Sequence, residues 1–440
     1  MLLGVSGLVL VATFMTLVMT KRATAIVALV LVPILFSLAL GFVTQTGDFV
    51  AAGIERVAPT AVMLMFAILY FSIMIDAGMF QPLVRRIIAW AGDNPVRAIV
   101  GHAALASIVS LDGDGTTTAL VTASALLPVY RRLGINPMIF GVIGGLCVTL
   151  MNMSPWGGPT ARIAAALHVD PMKIFLPMLP TIGVGLAATF ALAWYLGVKE
   201  KARLSAPGYT PSPVEANQGQ AGFMLESDPA ALRPGRVWIN VALTVILMTA
   251  VVMHLAPLLV LFMVGTTIAL VVNYPRLRDQ RTRLMAHAGS VLNVATMVLA
   301  AGAFTGVLEG TKMIDAMSGA IVAVLPREFG PALGVTTALL SVPGTFFLSN
   351  DAYYFGVVPV IADTAAAYGI RPEEIGRAAL LGQPIHGLSP LVAAVYLKCA
   401  ILNIELADLQ RFALKYFLLV TAVIILAAIL TGAIPAIRTA

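Results

Sequence analysis

Residues 98–130 form the segment that most restricts what this chain can become. It is long and apolar, and it is flanked by Arg97 on one side and Arg131-Arg132 on the other. Its middle reads Asp112-Gly113-Asp114-Gly115-Thr116-Thr117-Thr118. The rest of the chain supplies a membrane setting. Of 440 residues, 59% are apolar (the AVILMFWYC set) and 11% are charged, with a mean hydropathy of +0.95. A soluble domain has roughly 45–50% apolar and about 25% charged residues. A soluble globular protein, a disordered chain and a nucleic-acid binder are therefore excluded. Basic residues collect in cytoplasmic loops, so both ends of 98–130 belong on the inside. One straight crossing cannot satisfy that, and the polar centre cannot face lipid. The segment reads as a re-entrant hairpin entering from the cytoplasm with that centre as its tip.

About 20 residues of helix cross the ~30 Å hydrocarbon core. Apolar runs predict crossings at 2–20, 23–43, 59–79, 138–153, 172–198, 237–256, 257–274, 290–309, 376–400 and 413–434. Met1–Thr20 is followed, not preceded, by Lys21-Arg22, which reads as a retained span rather than a signal peptide. The stretch 44–58 has few basic residues and reads as an outer loop. The net charge of +6 belongs to cytoplasmic loops and says little about a ligand. Cys147 and Cys399 lie in separate apolar runs, which supports neither a disulfide framework nor a zinc site.

The second half repeats the first. Residues 332–366 form another long apolar stretch, broken at Ser349-Asn350-Asp351. Leu133-Gly134-Ile135-Asn136-Pro137 aligns with Tyr368-Gly369-Ile370-Arg371-Pro372, and the same offset carries Gly141 onto Gly376 and Ser154-Pro155 onto Ser389-Pro390. Further upstream, Asp76 falls opposite Glu309. The expected fold is an all-α polytopic membrane protein. Each half (1–198 and 237–440) holds five crossings and one hairpin, joined by a cytoplasmic linker at 199–236. Five is odd, so the halves would have inverted topology, as in many secondary transporters. Segments 80–93 and 312–327 suit interfacial helices.

Four polar breaks carry the chemistry. The tip of the first hairpin offers Asp112 and Asp114 for a cation or a proton, and Thr116 and Thr117 at a helix N-terminus that favours an anion. A broken helix around 152–160 exposes Asn152, Ser154, Gly157 and Gly158, with Arg162 placed to pair with a carboxylate or to snorkel outward. The second tip has Ser349, Asn350 and Asp351. A second broken helix around 383–390 brings His386, a substrate or proton ligand or simply a hydrogen-bonded histidine, and Ser389. Asp76 and Glu309 fit interfacial salt bridges at least as well as a function. His102, His168, His254 and His287 fit no constellation.

Taken together, SLDGDGTTTALVTASALLPVYRRLGINP, MNMSPWGGPTAR, LSNDAYYFGVVPV and LLGQPIHGLSPLV resemble the citrate–metal:proton symporter family (CitMHS), a branch of the ion-transporter group that includes dicarboxylate/sodium symporters. The resemblance spans essentially the whole chain. It implies a homodimeric elevator carrier in the cytoplasmic membrane, embedded in lipid. It implies proton-coupled symport of citrate complexed with a divalent metal, magnesium or similar, as substrate, with no tightly bound cofactor. The related carriers have Ser-Asn-Thr at both hairpin tips. Here Ser349-Asn350 is followed by Asp351, and the first tip is Asp112-Gly113-Asp114-Gly115-Thr116. These extra carboxylates fit proton coupling or contact with the metal.

Two other functions stay open on sequence: a sodium-coupled carrier of free di- or tricarboxylates, and an anion channel. No HExxH motif supports an intramembrane metalloprotease, and the chain does not read as an enzyme.

Overall fold

A computed structural model describes residues 2–113, 115–206, 230–324 and 329–437, without the side chain of Asp112. Asp114, most of the linker (207–229) and part of the 312–327 segment (325–328) lie outside the described residues. Every regular element among the described residues is helical.

Asx-Pro pairs begin several helices. Asn94, Asn136 and Asp170 accept backbone N–H groups two residues on, and Pro95, Pro137 and Pro171 occupy the first helical position. That position has no use for the missing N–H, and the capping oxygen satisfies a donor the helix leaves unpaired.

The first half runs α1 (Leu2–Met19), α2 (Ala25–Ala39), α3 (Thr46–Asp76), α4 (Gln81–Ala91), α5 (Pro95–Val109), α6 (Gly115–Leu133), α7 (Pro137–Met151), α8 (Gly158–Leu167) and α9 (Pro171–Leu204). The second runs α10 (Val237–Val252), α11 (Leu258–Asn273), α12 (Leu277–Gly310), α13 (Met313–Val324), α14 (Leu333–Phe347), α15 (Val358–Ala366), α16 (Pro372–Leu380), α17 (Gln383–His386), α18 (Ala393–Leu402) and α19 (Leu406–Leu430). From α3 to α9 and from α12 to α19 the order is the same: long helix, short helix, helix–break–helix, broken helix, long helix. Seven of the described helices are long and apolar enough to cross a membrane, and shorter apolar helices lie between them.

The expected outer loop at 44–58 is instead the start of α3, which is helical from Thr46. Its polar residues Glu55 and Arg56 look loop-like in sequence, but Arg56 is ion-paired with Glu309 of α12. Likewise α9 continues to Leu204, into what reads as linker.

Helices α3 and α12 pack along their length. Gly302, Gly306 and Gly310 recur at four-residue spacing on α12. A Cβ on Gly302 or Gly306 would press on the Gly53 backbone, and one on Gly310 would strike the Phe49 ring. Small residues on one stripe let membrane helices approach closely, where dispersion contacts and weak C–H···O contacts hold them. Ion pairs fasten both ends of this pair. Asp76, at the end of α3, meets Arg283 (3.4 Å) and His287 (2.8 Å) of α12. Glu309, at the end of α12, meets Arg56 of α3 and His168 just past α8 (2.9 Å). The acids are thus held in ion pairs, and His168 and His287, which fit no pattern in the sequence, are their partners.

Candidate functional site

The first tip forms where α5 ends in a single 3-10 turn, Ser110–Asp112, and Gly113 adopts a left-handed φ of +76°. Helix α6 begins at Gly115. Thr116 is exposed and Thr117 half-buried in the first turn of α6. This tip lies against the first broken helix. Trp156 Nε1 donates to Leu111 O at 2.7 Å, and a Cβ on Gly113 would sit 3.7 Å from Asn152 Oδ1.

The break itself, residues 152–157, is compact. Gly157 folds so closely on Asn152 that a Cβ there would collide with the Asn152 carbonyl oxygen. Thr160 Oγ1 donates to Met153 O across the break at 3.0 Å. Asn152 Oδ1 and Ser154 Oγ are buried without a hydrogen-bond partner among the described residues. Such groups are costly to leave unmet, so they are available to a ligand. Gly158 opens α8, and a Cβ on it would press on the Arg162 guanidinium one turn later.

The second tip forms where α14 ends and Leu348 becomes extended. Ser349 Oγ accepts from Ala352 N at 3.2 Å, which starts the next helix as a π-helical turn over Ala352–Val357. Asp351 Oδ1 accepts from Arg162 Nε at 2.7 Å, and this ion pair ties the tip to α8. Asn350 Oδ1 accepts from Gln383 Nε2 at 3.1 Å, and Gln383 also donates to the Tyr354 hydroxyl.

The second broken helix closes the ring. Its Gly382 carbonyl accepts from Thr345 Oγ1 at 2.9 Å, and a Cβ on Gly387 would touch Thr149 near the end of α7. His386 Nδ1 donates to Thr345 O at 2.6 Å. Ser389 Oγ donates to Phe346 O at 2.7 Å and accepts from Leu391 N. Both side chains therefore pin the second hairpin to the break, and the Ser389 proton is already committed.

The structure thus places Gly113, Asn152, Ser154, Gly157, Gly158, Arg162, Asn350, Asp351, His386 and Ser389 on segments that touch one another in a ring. Ser349 serves as a local cap. Gln383 has the clearest bridging role that sequence reasoning missed, and the signal was a glutamine at membrane depth beside a proline. Among the described residues, no group of three or more His, Cys, Asp or Glu could hold a metal ion. Two cavities, lined by Arg56 and His168 and by Asp76, Arg283 and His287, lie at opposite ends of the α3–α12 pair. Neither is lined by a residue of the four breaks.

Helix–break–helix segments and broken helices that touch one another among membrane-length helices recur in secondary transporters. The sequence pattern of the citrate transporter family matches residues 8–382. The chain belongs to that family. A Bacillus subtilis (strain 168) protein named citrate transporter is 46% identical over 436 residues, 98% of this chain and 100% of that one. A second from the same strain, named Mg(2+)/citrate complex secondary transporter, is 44% identical over 434 residues, 98% of this chain and 99% of that one. Two solved transporters share the fold at low identity. YdaH of Alcanivorax borkumensis matches with a TM-score of 0.53 at 13% identity, over 90% of this chain and 89% of its own. MtrF of Neisseria gonorrhoeae gives 0.53 at 14%, over 88% and 84%. As a member of the citrate transporter family, the protein is a multi-pass transporter of the bacterial cytoplasmic membrane, not an enzyme.

Proposed function

We propose that this protein carries citrate, complexed with a divalent cation such as magnesium, across the cytoplasmic membrane in symport with protons. The Arg162–Asp351 pair carries this reading, because it puts a guanidinium and a carboxylate side by side where the broken segments meet. Citrate near neutrality has about three negative charges, and its complex with a divalent cation about one, which is far cheaper to desolvate. An incoming citrate carboxylate takes over Arg162, for which a bidentate fork suits it. Asp351 is then released toward the cation, which prefers oxygen ligands. Asn152 and Ser154, with unmet polar atoms, and Asn350 supply hydrogen bonds. Thr116, Thr117, Gly157 and Gly158 offer helix N-termini to the remaining carboxylates. Asp112 and Asp114 stand as further cation or proton ligands, and His386 and Ser389 keep the second tip seated. The names of the two Bacillus relatives support the substrate.

In the same reading, residues 1–198 and 237–440 are two inverted repeats joined by the linker at 199–236, and the working form is a homodimeric elevator. The repeated order of elements and the matching ion pairs at both ends of α3–α12 support the repeat. Helices α1–α3 and α10–α12 form the scaffold, and the hairpins and broken helices form the moving unit.

Uptake of labelled citrate into proteoliposomes tests the function. Uptake rises with added magnesium and with an inward proton gradient. Uptake driven by a sodium gradient, and blocked by magnesium, would refute the proposal.

A further inference from the structure

Lys398 is the one charged residue of α18 and is 9% exposed. Its ammonium lies against α7, 3.2 Å from where a Cβ on Gly145 would stand, beside the Phe417 ring of α19. One turn earlier, Ala394 packs against Gly115, the first residue of α6 at the tip of hairpin 1. Lys398 is therefore buried inside the proposed moving unit, within a helical turn or so of the candidate site.

Its neighbours are specific. On α5, His102 comes up to the neighbouring position of α7: its Nε2 is 3.2 Å from where a Cβ on Gly144 would stand, and it is buried with no hydrogen-bond partner among the described residues. Cys147 on α7, Cys399 on α18 and Tyr130 of α6, whose hydroxyl is 3.2 Å from His102 Nδ1, are the other titratable groups around it. Arg131 and Arg132 of α6, and Asp408, Arg411 and Lys415 of α19, are exposed. Among the described residues no carboxylate pairs with Lys398. An unpaired buried charge is expensive, and ionisable groups at membrane depth persist where they act. Lysine, unlike arginine, can give up its proton inside a protein.

We propose that Lys398 carries the coupled proton. The inference rests on the proton-coupled reading above. The amine nitrogen takes a proton from external water when the metal–citrate complex is bound, and the ammonium offsets the complex's single negative charge. It returns that proton to cytoplasmic water after release, and the empty carrier goes back with a neutral amine. Lys398 touches no substrate in this scheme and acts through the charge of the moving unit.

The test uses full-length protein in proteoliposomes, with labelled citrate and magnesium. Wild type is measured first. With one proton per complex, a gradient of one pH unit supports about tenfold accumulation. If wild type ignores the proton gradient, the proton-coupled function itself fails. If wild type responds, K398R decides the role of Lys398. A fixed charge cannot release a proton, so K398R loses gradient-driven accumulation, while exchange of internal for external complex stays measurable and its pH dependence flattens. K398Q, held neutral, loses both accumulation and exchange. Normal proton-driven accumulation by K398R overturns the proposal. Loss of exchange in K398R also overturns it, since that assigns Lys398 to packing or to substrate contact.

Discussion

Arg162 Nε donates to Asp351 Oδ1 at 2.7 Å across 189 positions of sequence. The pair joins the helix that follows the first break to the tip of the second hairpin. Side-chain exposures of 22% and 16% make it a partly buried pair. Removing one partner of a buried pair costs about 3–5 kcal/mol, because the other charge stays uncompensated.

Partial exposure lowers that cost here to roughly 1–3 kcal/mol. Asp351→Asn is near-isosteric and is expected to insert and fold. Its citrate uptake at limiting substrate is expected to fall about ten- to a hundredfold. Arg162→Gln is expected to fall as far, and the double variant further than either single one, because the two side chains hold different parts of the cargo. Uptake assays on the three variants check this, and a double variant no worse than the single ones would show that the pair acts only as a structural tie.

The two glycines at the first tip and first break differ in kind. A Cβ at Gly157 collides with the Asn152 carbonyl oxygen, so Gly157→Ala must move backbone. At Gly113 the nearest atoms stand 3.6 Å off, and only the left-handed φ opposes a side chain, at roughly 1–2 kcal/mol. Thermal unfolding in detergent is expected to rank Gly157→Ala well below Gly113→Ala. Equal stabilities would show that the break relaxes freely.

The ion pairs at the ends of α3–α12 should not be worth the same. Asp76 and Arg283 are 20% and 13% exposed, whereas Arg56 is 52% exposed beside Glu309. Exposed pairs are worth roughly 0–1 kcal/mol. Asp76→Asn is therefore expected to lower stability by about 1–2 kcal/mol, and Glu309→Gln by less than about 1 kcal/mol. Denaturation of the two variants side by side gives the order.

The positions of the breaks were legible in the sequence, because glycine, proline and polar residues at membrane depth have few places to go. The helix–break–helix order at both segments was legible for the same reason, from polar centres such as Ser349-Asn350-Asp351 between apolar arms. What the sequence could not show is which distant groups meet. Nothing local marks Asp351 as the partner of Arg162, or His168 as that of Glu309. Arg56 looked like a loop residue because its acid lies on another helix. Lys398 stands alone inside an apolar run, and a lone ionisable residue there is itself a signal. His386 reads in sequence as a ligand or as a hydrogen-bonded histidine and Ser389 as a ligand, and only the structure shows that both bond to the backbone of α14.

The identity of the cargo is tested most directly by counting both parts of it. Proteoliposomes given citrate and a divalent cation carrying different labels report the two fluxes from the same vesicles. If the complex is carried, the labels enter one to one, and the rate follows the concentration of the complex as total metal is varied at fixed citrate. Citrate entry with no accompanying cation, at a rate that follows free citrate, would contradict the account.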